Sequence, residues 1–281
     1  MITTHYNTIG IGIAFSPNLK ANIYEAARLA LCFNARLVLI HVGNRTTQKE
    51  VTLKEIIAPF KELHLEYKVV YELGDPVEVI LNAIKVKKID LLVLGALQRE
   101  KLVKYYVGSI ARKITRSASC SVLLLIKPSV ERVPCKNIVV NGLSSPKTEA
   151  TIATSFYVSH KLEARKITIV EEISQQKVQV KVEDDKTLRK ATIVKERLRL
   201  REESRVKKIV TQIPEDYKKN IRVKTQSIFG RRGYSIGHYA QLMRADLLVM
   251  NGSNHTSFWD RFFTHDLEYI LRELPTDVLV V

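Results

Sequence analysis

Leu91-Leu-Val-Leu-Gly95 is an apolar run that stops abruptly at a glycine, and Leu247-Leu-Val-Met-Asn-Gly252 repeats the pattern in the second half of the chain. A segment this continuously apolar suits a strand buried on both faces, as in a parallel sheet covered by helices. The terminal glycine lets backbone approach a ligand without interference from a Cβ. Thirteen residues after Gly95 come Gly108-Ser109, then the apolar run Ser121 to Ile126. The glycine and serine can present an N–H and a hydroxyl to an anion. The second half has its own closing run, Asp277-Val-Leu-Val-Val281, but no second glycine-serine pair. A phosphate-holding turn is therefore expected in the first half alone.

Around these strands the chain alternates. Residues 7–14 predict a strand and Leu19 to Phe33 an amphipathic helix, with Ile23, Ala26, Ala27, Ala30 and Leu31 at helical spacing. Strand 36–42, helix 52–63, strand 65–73 and helix 77–87 follow. Asp75-Pro76 supplies a cap and a first-turn proline to the last of these. Strand 89–94, helix 103–117 and strand 121–126 complete the half. Lys127 to Pro134 is the boundary, giving domains at 1–130 and 131–281. After it the order restarts: strand 136–140, helix 147–161, strand 166–170, a long charged helix 184–211, strand 221–228, helix 234–243, strand 246–250, helix 257–273 and strand 277–281. The fold class is thus α/β, an internal repeat of two doubly wound, mostly parallel five-stranded sheets.

Composition narrows the function classes. The 281 residues are 46% apolar and poor in glycine and proline, which describes folded globular material rather than disorder. No run approaches the roughly 20 apolar residues of a membrane span, and the first residues lack signal-peptide character, so a cytoplasmic location is expected. Cys32, Cys120 and Cys135 are widely spaced and form no CxxC pair, which predicts ordinary buried thiols. The net charge of +16 divides evenly: 18 basic against 10 acidic residues up to Val130, and 27 against 19 after it. Such a balance favours anionic partners, among them nucleotides, nucleic acid and an anionic membrane surface.

Both halves resemble universal stress protein domains. The family's nucleotide-binding members carry a glycine, two residues, a second glycine, nine residues, then glycine with serine or threonine, between the fourth strand and fourth helix. Here Gly95 matches the first position, Gln98 replaces the second glycine, and Gly108-Ser109 match the last pair. Gly74-Asp75-Pro76 and the run from Cys120 resemble the family's turn after strand three and its closing strand. The resemblance implies the strand order 3-2-1-4-5 and a site that could take ATP, AMP or another adenine nucleotide. It would be lined by Ala14, Phe15, Val42, Gly95, Gln98, Arg99, Gly108 and Ser109. Relatives have an acidic residue near the adenine at the end of the first strand; this chain has Ala14 there, so that contact is lost. In the second half Asn141-Gly142 takes the same place, while Gly252, His255 and His265-Asp266 replace the glycine series.

Taken with these departures, the residues predict a non-enzymatic stress-response or regulatory protein with small-anion sensing in the first domain. Arg99, Lys101 or Lys104 would add charge to the phosphate. Two alternatives stand beside it: a ligandless protein-interaction module, for instance one regulating a membrane transporter, and a weak nucleotide hydrolase. Phe15 is expected in the core, and His41 as a structural histidine. His255, His265 and Asp266 do not have the spacing of a compact metal motif, and Phe258, Trp259, Phe262 and Phe263 between them read as packing. Nine basic residues lie between 189 and 208 against Glu196, Glu202 and Glu203, which reads as a solvated, partly self-paired helix face. The family commonly associates through closing strands. Val122 to Ile126 and Val278 to Val281 are therefore expected to pair within the chain, with a homodimer or other protein partner as a further expectation.

Overall fold

A computed structural model describes residues 5–98, 105–178, 180–252 and 264–281. The elements run β1 (Thr8–Ile13), α1 (Leu19–Phe33), β2 (Arg36–Val42), α2 (Thr47–Lys61), β3 (Tyr67–Glu72), α3 (Pro76–Val86), β4 (Leu91–Gly95), β5 (Leu97–Gln98), β6 (Tyr105–Tyr106), α4 (Ser109–Ser117) and β7 (Ser121–Leu125). They continue as β8 (Asn137–Asn141), α5 (Thr148–Leu162), β9 (Lys166–Ser174), α6 (Asp185–Thr211), α7 (Glu215–Lys218), β10 (Arg222–Gly230), α8 (Tyr234–Leu242), β11 (Leu247–Met250), α9 (Thr264–Arg272) and β12 (Asp277–Val280).

The chain forms two compact units. One holds His5–Pro134 together with Leu271–Val281, and the other spans Cys135–Ile270. In the first, the sheet order is β12-β7-β4-β1-β2-β3. All its ladders are parallel except that of β12, which runs antiparallel to β7 with Val278, Leu279 and Val280 opposite Leu124, Leu123 and Val122. The expected pairing of the two closing runs is therefore present. It also corrects the expected pair of five-stranded sheets. The last strand completes the first unit's sheet, which has six strands, and leaves the second unit four parallel ones, β10-β9-β8-β11.

Local chemistry explains most boundaries. Helix α1 buries Leu19, Ile23, Ala26, Ala27, Ala30 and Phe33 along one stripe and stops at Asn34, which takes a left-handed conformation (φ 54°). Helix α3 starts where Asp75 accepts from the N–H groups of Val77 (2.9 Å) and Glu78 (3.2 Å), with Pro76 in the first turn. Helix α2 begins five residues before the expected 52, because the Thr46 side chain caps Lys49 N–H. Helix α4 begins at Ser109 rather than 103, since Leu97–Gln98 and Tyr105–Tyr106 pair as a small antiparallel hairpin ahead of it. Strand β9 runs four residues past the expected 170 because its partner β10 stays in register to Gly230.

Cys32, Cys120 and Cys135 are free thiols, but half-buried rather than buried. Burial still pushes the Cys120 thiol up to about 12. Among the described residues no helix is long and apolar enough to cross a membrane.

Candidate functional site

In the first unit β1 lies between β2 and β4, so its chain crosses one way through α1 to β2 while β4 sits on the other side. Open α/β sheets form a crevice at this point of reversal, outside the C-terminal ends of the strands. Ala14, Val42 and Gly95 all stand at such ends: Ala14 and Gly95 are exposed and Val42 is half-buried.

Gly95 faces the first turn of α1. A Cβ built on it would meet the Asn22 amide at 3.3 Å, and Asn22 Oδ1 is buried with no hydrogen-bond partner among the described residues. Ala96 N–H then bonds Leu125 O at 2.7 Å, and the hairpin pairs Leu97 with Tyr106. This brings the chain back to Gly108, where an added Cβ would stand 2.9 Å from Leu97 Cδ1. Gly108 is the N-cap of α4 and supplies no side-chain cap; Ser109 opens the helix and is exposed. The first N–H groups of α4 are thus left for an acceptor from outside the helix, beside a hydroxyl. Arg112, one turn on, reaches Leu271 O (3.3 Å) and Val107 O (3.5 Å). Of the other expected contributors, Arg99, Lys101 and Lys104 lie outside the described residues, and Gln98 is placed through its backbone alone.

At the ends of β1 and β2 the arrangement differs from expectation. Phe15 is not core: it is 40% exposed and packs edge-on against His41, with ring centroids 5.0 Å apart. His41 is a structural histidine, as expected. It is buried and donates from Nδ1 to Ile13 O (3.2 Å), which leaves Nε2 to accept from Lys49 Nζ (3.0 Å). Lys49 also donates to Asn44 O (2.9 Å) and stands 5.5 Å from the Phe15 ring centre. Tyr71 closes the group edge-on to His41; burial first, and the Glu50 charge second, raise its hydroxyl above the ordinary tyrosine value. Sequence reasoning missed Lys49. The only signal was its place in the first turn of a helix that begins earlier than the apolar spacing suggests.

The second unit presents carboxylates instead. Glu172, on β9, accepts from the N–H groups of Gly233 (2.7 Å) and Ile236 (2.9 Å) and so caps α8. Glu171 points to the other face of the sheet, where one oxygen accepts from Ser227 Oγ (2.9 Å). Both are buried, and desolvation pushes each up to about 7 despite these hydrogen bonds. Neither was anticipated, although two acids inside the apolar run Ile167 to Ile173 were visible. Past the ends of β9 and β10 lies an open cleft of about 570 Å³ lined by Ser174, Gln175, Arg231, Arg232 and Tyr269. Asp266 pairs with Arg232 there at 3.1 Å. His255 and the aromatic cluster at 258–263 lie outside the described residues, as does the His265 side chain. Among the described residues no group of three or more His, Cys, Asp or Glu could hold a metal ion.

Residues 5–125 match the model of the universal stress protein family. Across the whole chain, a protein described as a universal stress protein of Pseudomonas aeruginosa UCBPP-PA14 is similar in structure, with TM-score 0.69 and 15% identity over 98% of this chain and 93% of that one. A universal stress protein of Archaeoglobus fulgidus DSM 4304 is similar with TM-score 0.67 and 15% identity, over 99% of this chain and 96% of that one. Among curated proteins, none matches by sequence.

Proposed function

Because residues 5–125 match the universal stress protein family and the whole chain has the fold of universal stress proteins of its length, we propose that it is a regulatory stress protein whose first unit senses a small phosphate-bearing ligand. The observation that carries this reading is the start of α4. Its N-cap is a glycine with no side chain, its first residue offers a hydroxyl, and Gly95 and Asn22 border the same end of the sheet. Helix-end amides without an internal acceptor favour an anion, and the basic balance of the half adds to its attraction. An adenine nucleotide is the ligand to try first. Its base would lie toward Phe15 and Val42, without the acidic partner that Ala14 replaces. The cytoplasm is the compartment in which such a ligand is met.

The test is titration of nucleotide-stripped protein with ATP, ADP and AMP by calorimetry. Saturable binding that weakens roughly tenfold in Ser109→Ala supports the reading, that being the loss of one hydrogen bond to a charged group. No saturable binding of any of the three overturns it.

A second reading, a ligandless protein-interaction module, is favoured by one arrangement. Lys49, His41 and Phe15 already satisfy one another where relatives would be expected to place the base. Capture of a specific partner, unchanged in Ser109→Ala and by added nucleotide, would select it. Hydrolysis is a third reading of the same turn, and failure to release phosphate above a heat-inactivated control would remove it.

A further inference from the structure

Helix α6 spans 27 residues and is held to its unit by a narrow stripe. Ala191, Val206 and Ile209 are buried, and Val194 and Leu198 are half-buried. Its glutamates are spent on ion pairs along the helix: Glu196 with Arg199 (2.7 Å), Glu202 with Arg205 (2.9 Å) and Glu203 with Lys207 (3.1 Å). Charge is distributed unevenly around the axis. Lys186, Lys190, Ile193, Arg197, Leu200, Arg201, Ser204 and Lys208 recur at intervals of three and four and therefore share one flank. All eight are exposed. Lys190, Arg197, Arg201 and Lys208 have no acidic residue three or four positions away on either side, and none forms an ion pair among the described residues. At 1.5 Å per residue the row from Lys186 to Lys208 is about 33 Å long. Ile193 and Leu200, in its middle, are 52% and 50% exposed.

We propose that this flank of α6 docks the protein on an anionic lipid surface. A row of unopposed cations along one straight edge is complementary to a plane of negative headgroups, whose attraction reaches each side chain within a Debye length. The two aliphatic residues favour lipid over nucleic acid. Among phosphates and water they gain nothing, whereas at a bilayer they enter the boundary between headgroups and acyl chains while the flanking Lys and Arg heads stay at the surface. Such contact is peripheral and reversible, and it leaves the crevice of the first unit unused.

Co-sedimentation of the full chain with phosphatidylcholine vesicles, with and without phosphatidylglycerol, tests this. The protein should sediment only with the anionic vesicles and be released by salt. Arg197→Glu with Arg201→Glu should weaken binding about tenfold or more, a scale set by the attraction of each cation to such a surface. Ile193→Ser with Leu200→Ser should weaken it at unchanged net charge. Lys195→Glu with Arg199→Glu alters net charge equally but lies on the opposite side of the helix from the row, and should weaken binding less. Unchanged far-UV circular dichroism and melting would show that the variants fold. Three results would overturn the proposal: no binding to anionic vesicles, equal losses in the two charge-reversed pairs, or a duplex DNA bound through Arg197 and Arg201 while vesicles are ignored.

Discussion

Glu171 shows how a single side chain sets a pH dependence. Burial holds its carboxyl up to about 7, above the ordinary 4.5, even though Ser227 donates to it. A group raised in the folded state binds its proton more tightly there than in the unfolded chain. Its contribution is full below the unfolded value and is lost as pH rises through about 7. Stability should therefore fall between mildly acidic and neutral pH. Glu171→Gln keeps an acceptor for Ser227 and removes the charge. In urea unfolding it should gain about 1–2 kcal/mol at alkaline pH and almost nothing in mild acid. An equal gain at both would mean that packing, not ionisation, is responsible. This feature was poorly legible in the sequence, because strand burial depends on what lies on both faces, and a pair of glutamates ordinarily marks a surface. His41 was legible because its neighbours Leu39, Ile40 and Val42 are all apolar. Phe15 was not, since no pattern at the end of β1 told whether a neighbouring helix would cover the ring.

At the scale of elements, α8 and α9 pack through two glycines one turn apart. Gly233 has φ +77°, and a Cβ there would fall 2.5 Å from Asp266 Cα and 2.6 Å from its carbonyl oxygen, both backbone. At Gly237 the nearest atom is the Ile270 Cδ1 methyl at 2.9 Å, the free end of a flexible side chain. The two positions should respond differently to the same substitution. Gly233→Ala should cost about 3 kcal/mol or more, through left-handed strain and a backbone clash that cannot relax. Gly237→Ala should come out within about 1 kcal/mol of wild type, as the helix propensity gained offsets the displaced methyl. Thermal unfolding of the two variants checks the contrast. Helix and strand existence was readable from periodicity nearly throughout. The start of α4 was not, because the β5–β6 hairpin depends on pairing that apolar spacing does not report.

For the molecule as a whole, the decisive feature is β12. The sequence revealed two repeats of one α/β pattern and the pairing of their closing runs, but not which unit the last strand completes. That depends on which edge offers a partner, and β7 offers Ser121-Val-Leu-Leu-Leu125, buried throughout. Asp277 adds a carboxylate that accepts Ile126 N–H at 2.8 Å. Removing residues 276–281 should uncover β7 and destabilise the first unit by roughly 5 kcal/mol, the burial of Val278, Leu279 and Val280. Amide exchange should accelerate at Val122 to Leu124 and much less in β9. Loss of protection confined to the second unit would contradict this. The bare edge would also invite association between chains, as unprotected apolar strands do.

The position of β12 orders events during synthesis as well. A ribosome makes β7 early and delivers its antiparallel neighbour only after all of Cys135–Ile270 has been translated. A nascent first unit must therefore wait with an open flank, and chaperone contact at that flank would be needed longest in the half of the protein that is made first.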